Sequence, residues 1–190
     1  VQPRPAMADD LKERTTRLLT DYLECCAREP GTPEPQPSTP EAAVLRSAAA
    51  QLQRIHRPFF SAYRGYPGNR VELMMRVVEA VLPDGHDLSW GRVVTLVTFA
   101  GTLLERGPHL TTTRWQKEIA RDCQRLVTLL CTRLTGQYRA WLQAQGGWDG
   151  FCAFFRTPLP LSFWRRVLVH ACLSCLLATA LIYLWTRVSC

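Results

Sequence analysis

The chain has 190 residues, of which 47% are apolar and 21% are charged, and its formal net charge is +7. This composition excludes a disordered chain and a polytopic membrane protein, and the length suits one domain with its own core. The positive charge does not indicate nucleic-acid binding, because no run of Lys and Arg exceeds two residues and no aromatic platform accompanies them.

The first part of the chain is predicted to be a helix followed by a linker. Residues 1–6 are expected to be an unstructured extension. A single apolar stripe at helical spacing then continues to a stop at Pro30 and Gly31. Residues 30–40 contain so many prolines that they cannot hold a regular helix, and they are predicted to be a flexible linker.

Helical periodicity continues through the rest of the chain, and no stretch shows convincing strand alternation. The second helix is predicted at residues 41–57, with Pro40 in its first turn after a Ser38 or Thr39 cap. Pro58 and a turn region at residues 63–69 separate it from the next helix. Further helices are predicted at residues 70–82, 89–107, 114–134, 138–145 and 148–155. The predicted fold class is all-α.

The last part of the chain contains nineteen residues without a formal charge, at 167–185. As a helix this segment would be about 28 Å long, which matches the hydrocarbon thickness of a bilayer. Arg165, Arg166 and Arg187 flank it, as basic residues flank membrane spans. Residues 163–190 are therefore predicted to be a transmembrane tail anchor. The alternative is a buried C-terminal helix of the bundle.

Arg92 lies at the start of a helix that is apolar from residue 93 to residue 104, apart from threonines and one glycine. The helix dipole disfavours a cation at this position, so the residue needs another explanation. Its planar guanidinium suits a carboxylate, and Gly91 leaves room for a second backbone. One hypothesis is a site for an amphipathic helix that carries an acidic residue. The alternative is an internal ion pair with Asp84 or Asp87.

Four segments resemble the homology regions of the Bcl family of apoptosis regulators. SWGRVVTLVTFAGTLLERG, residues 89–107, is similar to the first region, whose core pattern is Asn-Trp-Gly-Arg. WLQAQGGWDGF, residues 141–151, is similar to the second region. LRSAAAQL, residues 45–52, has the place of the third, and the N-terminal helix that of the fourth. The order and intervals also agree, so the resemblance extends from Met7 to the end of the chain.

The resemblance implies a Bcl-like bundle of about eight helices at residues 7–162, around a hydrophobic hairpin made by the helix at Trp90–Leu104 and the helix from Arg114. It also implies a groove that receives an amphipathic death-motif helix from a partner. In that groove, Arg92 would pair with the partner's aspartate and Gly91 would provide clearance. The implied lining residues are Leu52, Val77, Val81, Val94, Phe99 and, at the far edge, Phe155. Trp90, Gly147, Trp148 and Asp149 match structural positions of the two motifs.

The chain departs from the family pattern at two places. Ser89 replaces the asparagine before the tryptophan; it still caps a helix but loses an amide contact to a partner's backbone. In the third region, Ala49 and Ala50 stand where the family has glycine and aspartate. Without that carboxylate, this helix cannot make a charge-assisted bond to another member's arginine. The chain is therefore expected to be a poor ligand for its relatives while keeping the features of a receptor.

These features lead to the expectation of an anti-apoptotic regulator that binds death-motif helices and restrains permeabilisation of the mitochondrial outer membrane. The expected partners are Bax-like effectors, death-motif-only proteins and other family members as heterodimers. The bundle would face the cytosol from the mitochondrial outer membrane or the endoplasmic reticulum. No enzymatic motif, cofactor site or metal-ligand spacing is found in the sequence. The alternative is a pro-apoptotic, pore-forming effector of the same fold.

Overall fold

The computed structural model describes residues 6–82, 88–106 and 112–156. These residues form eight α-helices and a π-helical turn, with no β-strand among them, which confirms the predicted all-α class. The helices are α1 (Ala6–Ala27), α2 (Pro40–Ile55), α3 (Arg57–Tyr63), α4 (Arg70–Val81), α5 (Trp90–Leu104), α6 (Thr112–Thr132), α7 (Arg139–Ala144) and α8 (Gly147–Arg156). The π-helical turn at Arg133–Gln137 joins α6 to α7.

Helix α5 lies at the centre of the bundle. All of its fifteen residues except Arg92 are buried. Helices α1, α2, α3, α4 and α6 pack against it. A helix that is apolar on every side is stable in water only when neighbours cover its whole circumference, and here they do. The expected hydrophobic hairpin is thus present as α5 and its neighbour α6.

Helix α1 approaches α5 closely at Gly101. A Cβ atom at this position would lie 2.7 Å from Cys26 Sγ and 2.9 Å from Tyr22 Cε1. Protein interiors do not tolerate such contacts without a shift of the neighbouring atoms. The missing side chain at position 101 therefore sets the distance between α1 and the central helix.

The start of α2 is fixed by a side-chain cap. Thr39 Oγ1 accepts a hydrogen bond from the Ala42 backbone N–H at 3.2 Å, and Pro40 takes the first turn, where its missing N–H costs nothing. Of the two predicted candidates, Thr39 rather than Ser38 is therefore the cap.

The proline-rich linker contains no helix between residues 30 and 39, as predicted. Two charged residues attach it to the bundle. Asp21 accepts a hydrogen bond from the Ser38 N–H at 2.9 Å, and Arg46 donates to the Pro35 carbonyl and to Asp21. Burial alone would raise the pKa of Asp21, but the hydrogen bonds from Ser38 and Arg46 lower it overall. The linker is thus tied to both α1 and α2.

Arg70, the first residue of α4, is a buried cation that connects three helices. Only 6% of the residue is exposed. Its Nε donates to the Leu103 carbonyl at 3.0 Å, near the end of α5, and its Nη1 lies 2.9 Å from Asp122 Oδ2 on α6. The guanidinium therefore holds α4 to both helices of the hairpin.

Two local features differ from the sequence prediction. Residues after Pro58 were expected to be outside a helix, yet Arg57–Tyr63 forms α3, because a proline in the first turn is compatible with a helix. The predicted single helix at residues 114–134 ends earlier, at Thr132, and continues as the π-helical turn. Such turns are short insertions in a helix and leave little periodic signal in a sequence.

The predicted tail anchor at residues 163–190 lies outside the described residues, as does most of the predicted extension at residues 1–6. Among the helices of the described ranges, none combines the length and the apolar character that a membrane span requires.

Candidate peptide-binding groove

The first turn of α5 carries the arginine that the sequence singles out. Ser89 Oγ accepts a hydrogen bond from the Arg92 backbone N–H at 3.3 Å, which confirms that Ser89 caps this helix. Gly91 is buried, and Arg92 is the one residue of α5 that is partly exposed. The alternative partners of the guanidinium, Asp84 and Asp87, lie outside the described residues.

The predicted lining residues come from α2, α4 and α5, and all of them are part of the single hydrophobic core of the described bundle. They are Leu52, Val77, Val81, Val94 and Phe99. Each of these side chains is at most 2% exposed. Phe155, at the end of α8, is partly buried and packs against the same cluster. The residues implied by the resemblance are therefore core residues, and in this structure they are covered.

Helix α3 provides part of that cover. The rings of Phe59 and Tyr63 lie against Phe99, with centroid distances of 5.9 Å and 5.1 Å. Phe60 is fully buried beside Phe59, and it is the one buried residue of α3. The sequence analysis missed these aromatic residues. The spacing of Phe59, Phe60 and Tyr63 by one, three and four is a helical signal that could have identified them.

The helices before and after α3 in the chain carry the most exposed large apolar side chains of the described residues. Ile55, at the end of α2, is 47% exposed, and Met75, on α4, is 42% exposed. Single exposed apolar residues are common on protein surfaces. Here Ile55 and Met75 lie on α2 and α4, which also supply part of the buried core. Both helices therefore present some apolar surface to solvent as well.

The tryptophans of the two homology motifs meet in the core. The rings of Trp90 and Trp148 are 5.8 Å apart, and Phe151 lies 5.2 Å and 5.4 Å from them. Trp148 has no exposed surface, and its indole Nε1 donates to Thr15 Oγ1 at 2.8 Å. Since indole N–H is a donor that needs a partner when buried, this bond fixes α8 against α1.

Gly146 and Gly147 allow the chain to turn sharply between α7 and α8. Their φ angles are +78° and +61°, values that L-residues rarely adopt. The predicted boundary between the helices at residues 138–145 and 148–155 is therefore confirmed, and these glycines make it.

Asp149 joins α8 to the N-terminal part of the bundle through Arg14. The Arg14 guanidinium donates to both carboxylate oxygens of Asp149, at 2.8 Å and 2.9 Å, and to Glu41 at 2.7 Å. The hydrogen bond from Arg14 lowers the pKa of Asp149. Burial would raise the pKa of Glu41, but hydrogen bonds from the backbone and from Arg14 lower it overall. We call these three residues, from α1, α2 and α8, the Arg14 clasp.

We expect Arg14→Gln to lower the free energy of unfolding by about 1 kcal/mol at pH 6, since the clasp is partly exposed. The carboxyl pKa values are lowered in the folded chain, so this stability is present above the ordinary values near 4 and is lost as the pH falls through the lowered folded values. Urea denaturation of both forms between pH 6 and pH 3 measures it. Arg17→Gln, which removes an exposed pair with Glu13 on the same helix, is the control. A difference that stays constant with pH would contradict the assignment.

The described part of the chain offers no metal centre, because no three His, Cys, Asp or Glu side chains within it are placed to hold an ion. Burial raises the pKa of the Cys26 thiol to about 12 and that of Cys123 to about 11, so both stay protonated at neutral pH.

Comparisons with known proteins show which family the chain is similar to. A family model described as apoptosis regulator proteins of the Bcl-2 family matches residues 45–148. The chain is 68% identical to Bcl-2-like protein 10 from Homo sapiens over 98% of its length and 97% of that protein. It is 37% identical to the anti-apoptotic protein NR13 from Coturnix japonica over 78% of the chain and 80% of that protein. It also resembles the crystal structure of the zebrafish pro-survival protein NRZ in complex with a Bad BH3 segment, with a TM-score of 0.61, 27% identity and coverage of 80% of this chain and 98% of that one.

Proposed function

This chain belongs to the Bcl-2 family of apoptosis regulator proteins, and we propose that it is an anti-apoptotic member that binds death-motif helices of pro-apoptotic relatives. The observation that carries the proposal is the first turn of α5, where Arg92 is partly exposed next to the buried Gly91, at the edge of a cluster of apolar residues. The protein would act by binding alone, without bond chemistry. It would thereby restrain permeabilisation of the mitochondrial outer membrane.

The groove must open before a peptide can enter. Phe59 and Tyr63 would have to leave Phe99, so that the partner's apolar side chains replace them there. Helix α3 has only seven residues, and Phe60 is its one buried residue, so few buried contacts hold it against the bundle. The partner's own apolar stripe would cover the surface that is exposed, which offsets much of the cost.

Most of the remaining predicted residues would contact other parts of the bound partner helix. Val77 and Val81 on α4 would contact the partner's stripe, and Phe155 would close the far end. Gly91 would let the partner's backbone approach, so that its aspartate reaches Arg92. Ser89 would keep the first turn of α5 in place.

The proposal of an anti-apoptotic rather than a pro-apoptotic role depends on the sequence of α2. At the position of the family's aspartate this helix has Ala50, which is exposed and carries no charge, and Ala49 before it is buried. A death-motif donor needs that carboxylate, because charge-assisted hydrogen bonds contribute about 1.5–3 kcal/mol. The similarity to anti-apoptotic NR13 and to pro-survival NRZ supports the same direction.

The proposed partners are Bax-like effectors and death-motif-only proteins, with other family members as possible heterodimers. We place the protein at the mitochondrial outer membrane or the endoplasmic reticulum, held by residues 163–190 with the bundle in the cytosol. The uncharged stretch at residues 167–185 and its basic flanks support this location. Resistance of the full chain to alkaline extraction from membranes, lost when residues 163–190 are removed, is the expected result.

We expect Arg92→Ala to weaken binding of a Bad BH3 peptide about ten- to a hundredfold, which corresponds to a lost hydrogen bond between charged groups. Isothermal titration calorimetry with the full-length chain measures it. Arg92→Lys keeps the charge but loses the planar fork, so its affinity for the peptide should lie between those of wild type and Arg92→Ala.

A double-mutant cycle distinguishes the peptide's carboxylate from an internal partner. If Arg92 binds the peptide's aspartate, replacing that aspartate by alanine should cost wild type about as much as Arg92→Ala does, and should cost the variant little more. If Arg92 serves Asp84 or Asp87 instead, the two losses will add, or Arg92→Ala will leave the affinity unchanged. Either of these results would overturn the assignment.

The second candidate function is a pore-forming effector, and the apolar circumference of α5 favours it. Release of a dye from liposomes by the full-length chain separates the two roles. An anti-apoptotic protein should suppress release caused by Bax, whereas an effector should cause release itself once it is activated.

A further inference from the structure

The outward face of α6 has an unusual charge distribution. Its exposed residues, where burial is described, are Gln116, Lys117, Ala120, Arg121, Gln124, Arg125, Thr128 and Thr132. Three of them are cations and none is an acid. By contrast, the exposed residues of α1 and α4 carry both signs of charge, for example Glu13 with Arg17 and Glu72 with Arg76. The exposed residues of α6 therefore carry only positive charge, while Glu24 of α1 and Glu29 just after it lie along one edge of the helix, beside Gln116 and Gln124.

Lys117, Arg121 and Arg125, which we call the α6 stripe, are spaced by four residues and therefore lie one above another on the helix. No described ion pair or hydrogen bond involves any of the three, among residues 6–82, 88–106 and 112–156. Like charges at this spacing destabilise a helix. The three cations therefore repel one another and destabilise α6 unless an anionic group lies over them.

The acids of α6 do not neutralise the stripe at its exposed side. Asp122 is partly buried and pairs with Arg70 of α4. Glu118, four residues earlier, lies on the same side of the helix as Asp122 and is also only partly exposed. Asp122 is therefore engaged on the side towards α4, and no described ion pair joins either carboxylate to the stripe. An anionic surface over this part of α6 would relieve the repulsion within the stripe.

We propose that the α6 stripe is a docking surface for the anionic headgroups of a lipid bilayer, so that the bundle lies on the membrane by this face. Recognition of a folded acidic protein or of a phosphopeptide depends on cations held in fixed positions by neighbouring side chains. The three exposed side chains of the stripe have no such supports among the described residues. An anionic lipid bilayer does not require such supports, because each cation near its surface contributes to binding independently.

This inference concerns a face other than the groove and does not depend on peptide binding. The test measures partition of the full-length chain between buffer and two kinds of vesicle, pure phosphatidylcholine and phosphatidylcholine with phosphatidylserine. The ratio of the two partition coefficients removes any contribution that residues 163–190 make equally to both. Each cation near an anionic surface is expected to contribute about fivefold to this ratio.

The stripe variant is Lys117→Gln, Arg121→Gln and Arg125→Gln together, and it should lower the ratio about a hundredfold. The matched control is Arg54→Gln, Arg57→Gln and Arg156→Gln together, which makes the same change in net charge at exposed positions on α2, α3 and α8. The control should lower the ratio less than tenfold. The thermal midpoint of the stripe variant should be unchanged or raised, because the repulsion within α6 is removed.

Three results would overturn the proposal. A wild-type ratio near one would show that the chain does not distinguish anionic lipid. Equal losses in the stripe and control variants would show that net charge alone acts. Binding of soluble polyglutamate that is tighter than binding to anionic vesicles at equal charge concentration, and lost in the stripe variant, would assign the stripe to an acidic protein instead.

Discussion

Trp148→Ala is expected to lower the free energy of unfolding by about 3–5 kcal/mol. Trp148 is fully buried among the aromatic rings of both homology motifs, and its indole N–H bonds to Thr15. Truncation leaves a large cavity and leaves α8 without its bond to α1. Since domains are stable by only about 5–15 kcal/mol, a loss of this size would leave part of the chain unfolded at 37 °C.

Two companion variants separate the cavity from the hydrogen bond. Trp148→Phe keeps most of the apolar volume but loses the N–H, so it should cost about 1–2 kcal/mol. Trp141→Ala removes a tryptophan of the same aromatic cluster that is only partly buried, so its effect should be smaller than that of Trp148→Ala. Urea denaturation followed by far-ultraviolet circular dichroism measures all three. A loss below about 1 kcal/mol for Trp148→Ala would contradict a structural role.

Arg70→Ala is the second change with a large expected effect, a loss of about 3–5 kcal/mol. The substitution leaves Asp122 without its cation and the Leu103 carbonyl without a donor, both in a largely buried position. The cost of desolvating these groups is then no longer compensated. We expect α4 to separate from the α5–α6 hairpin first, which hydrogen exchange of α4 amides would detect.

The same helix offers a matched control for this prediction. Arg76→Ala also removes one arginine of α4, but its pair with Glu72 is exposed and spans four residues of one helix. Its loss should be below about 0.5 kcal/mol. A double variant with Arg70→Met and Asp122→Leu should lose less than Arg70→Ala alone, because no unpaired charge stays buried. Equal effects of Arg70→Ala and Arg76→Ala would refute the role of burial.

Part of the candidate site could be predicted from sequence, because its signals are local or belong to a motif. The Ser89 cap and the glycine stop before Trp148 depend on residues next to each other in the chain. The grouping of Leu52, Val77, Val81, Val94 and Phe99 as a groove followed from the resemblance and stays a prediction, while the structure shows that all five are core residues. The packing of Phe59 and Tyr63 on Phe99 could not be predicted, because it depends on how a short helix without its own core lies against α5.

The sequence by itself determined the helical class, the limits of most helices and the caps that begin them. These depend on apolar periodicity and on hydrogen bonds between residues a few positions apart. Only the tertiary structure decided which polar groups meet across the bundle. Arg14 and Asp149 are 135 residues apart, and Arg70 and Asp122 are 52 apart. In the unfolded chain, an arginine can reach many different carboxylates. Packing of the apolar faces selects one of them, so the partner is fixed only when the helices are in place.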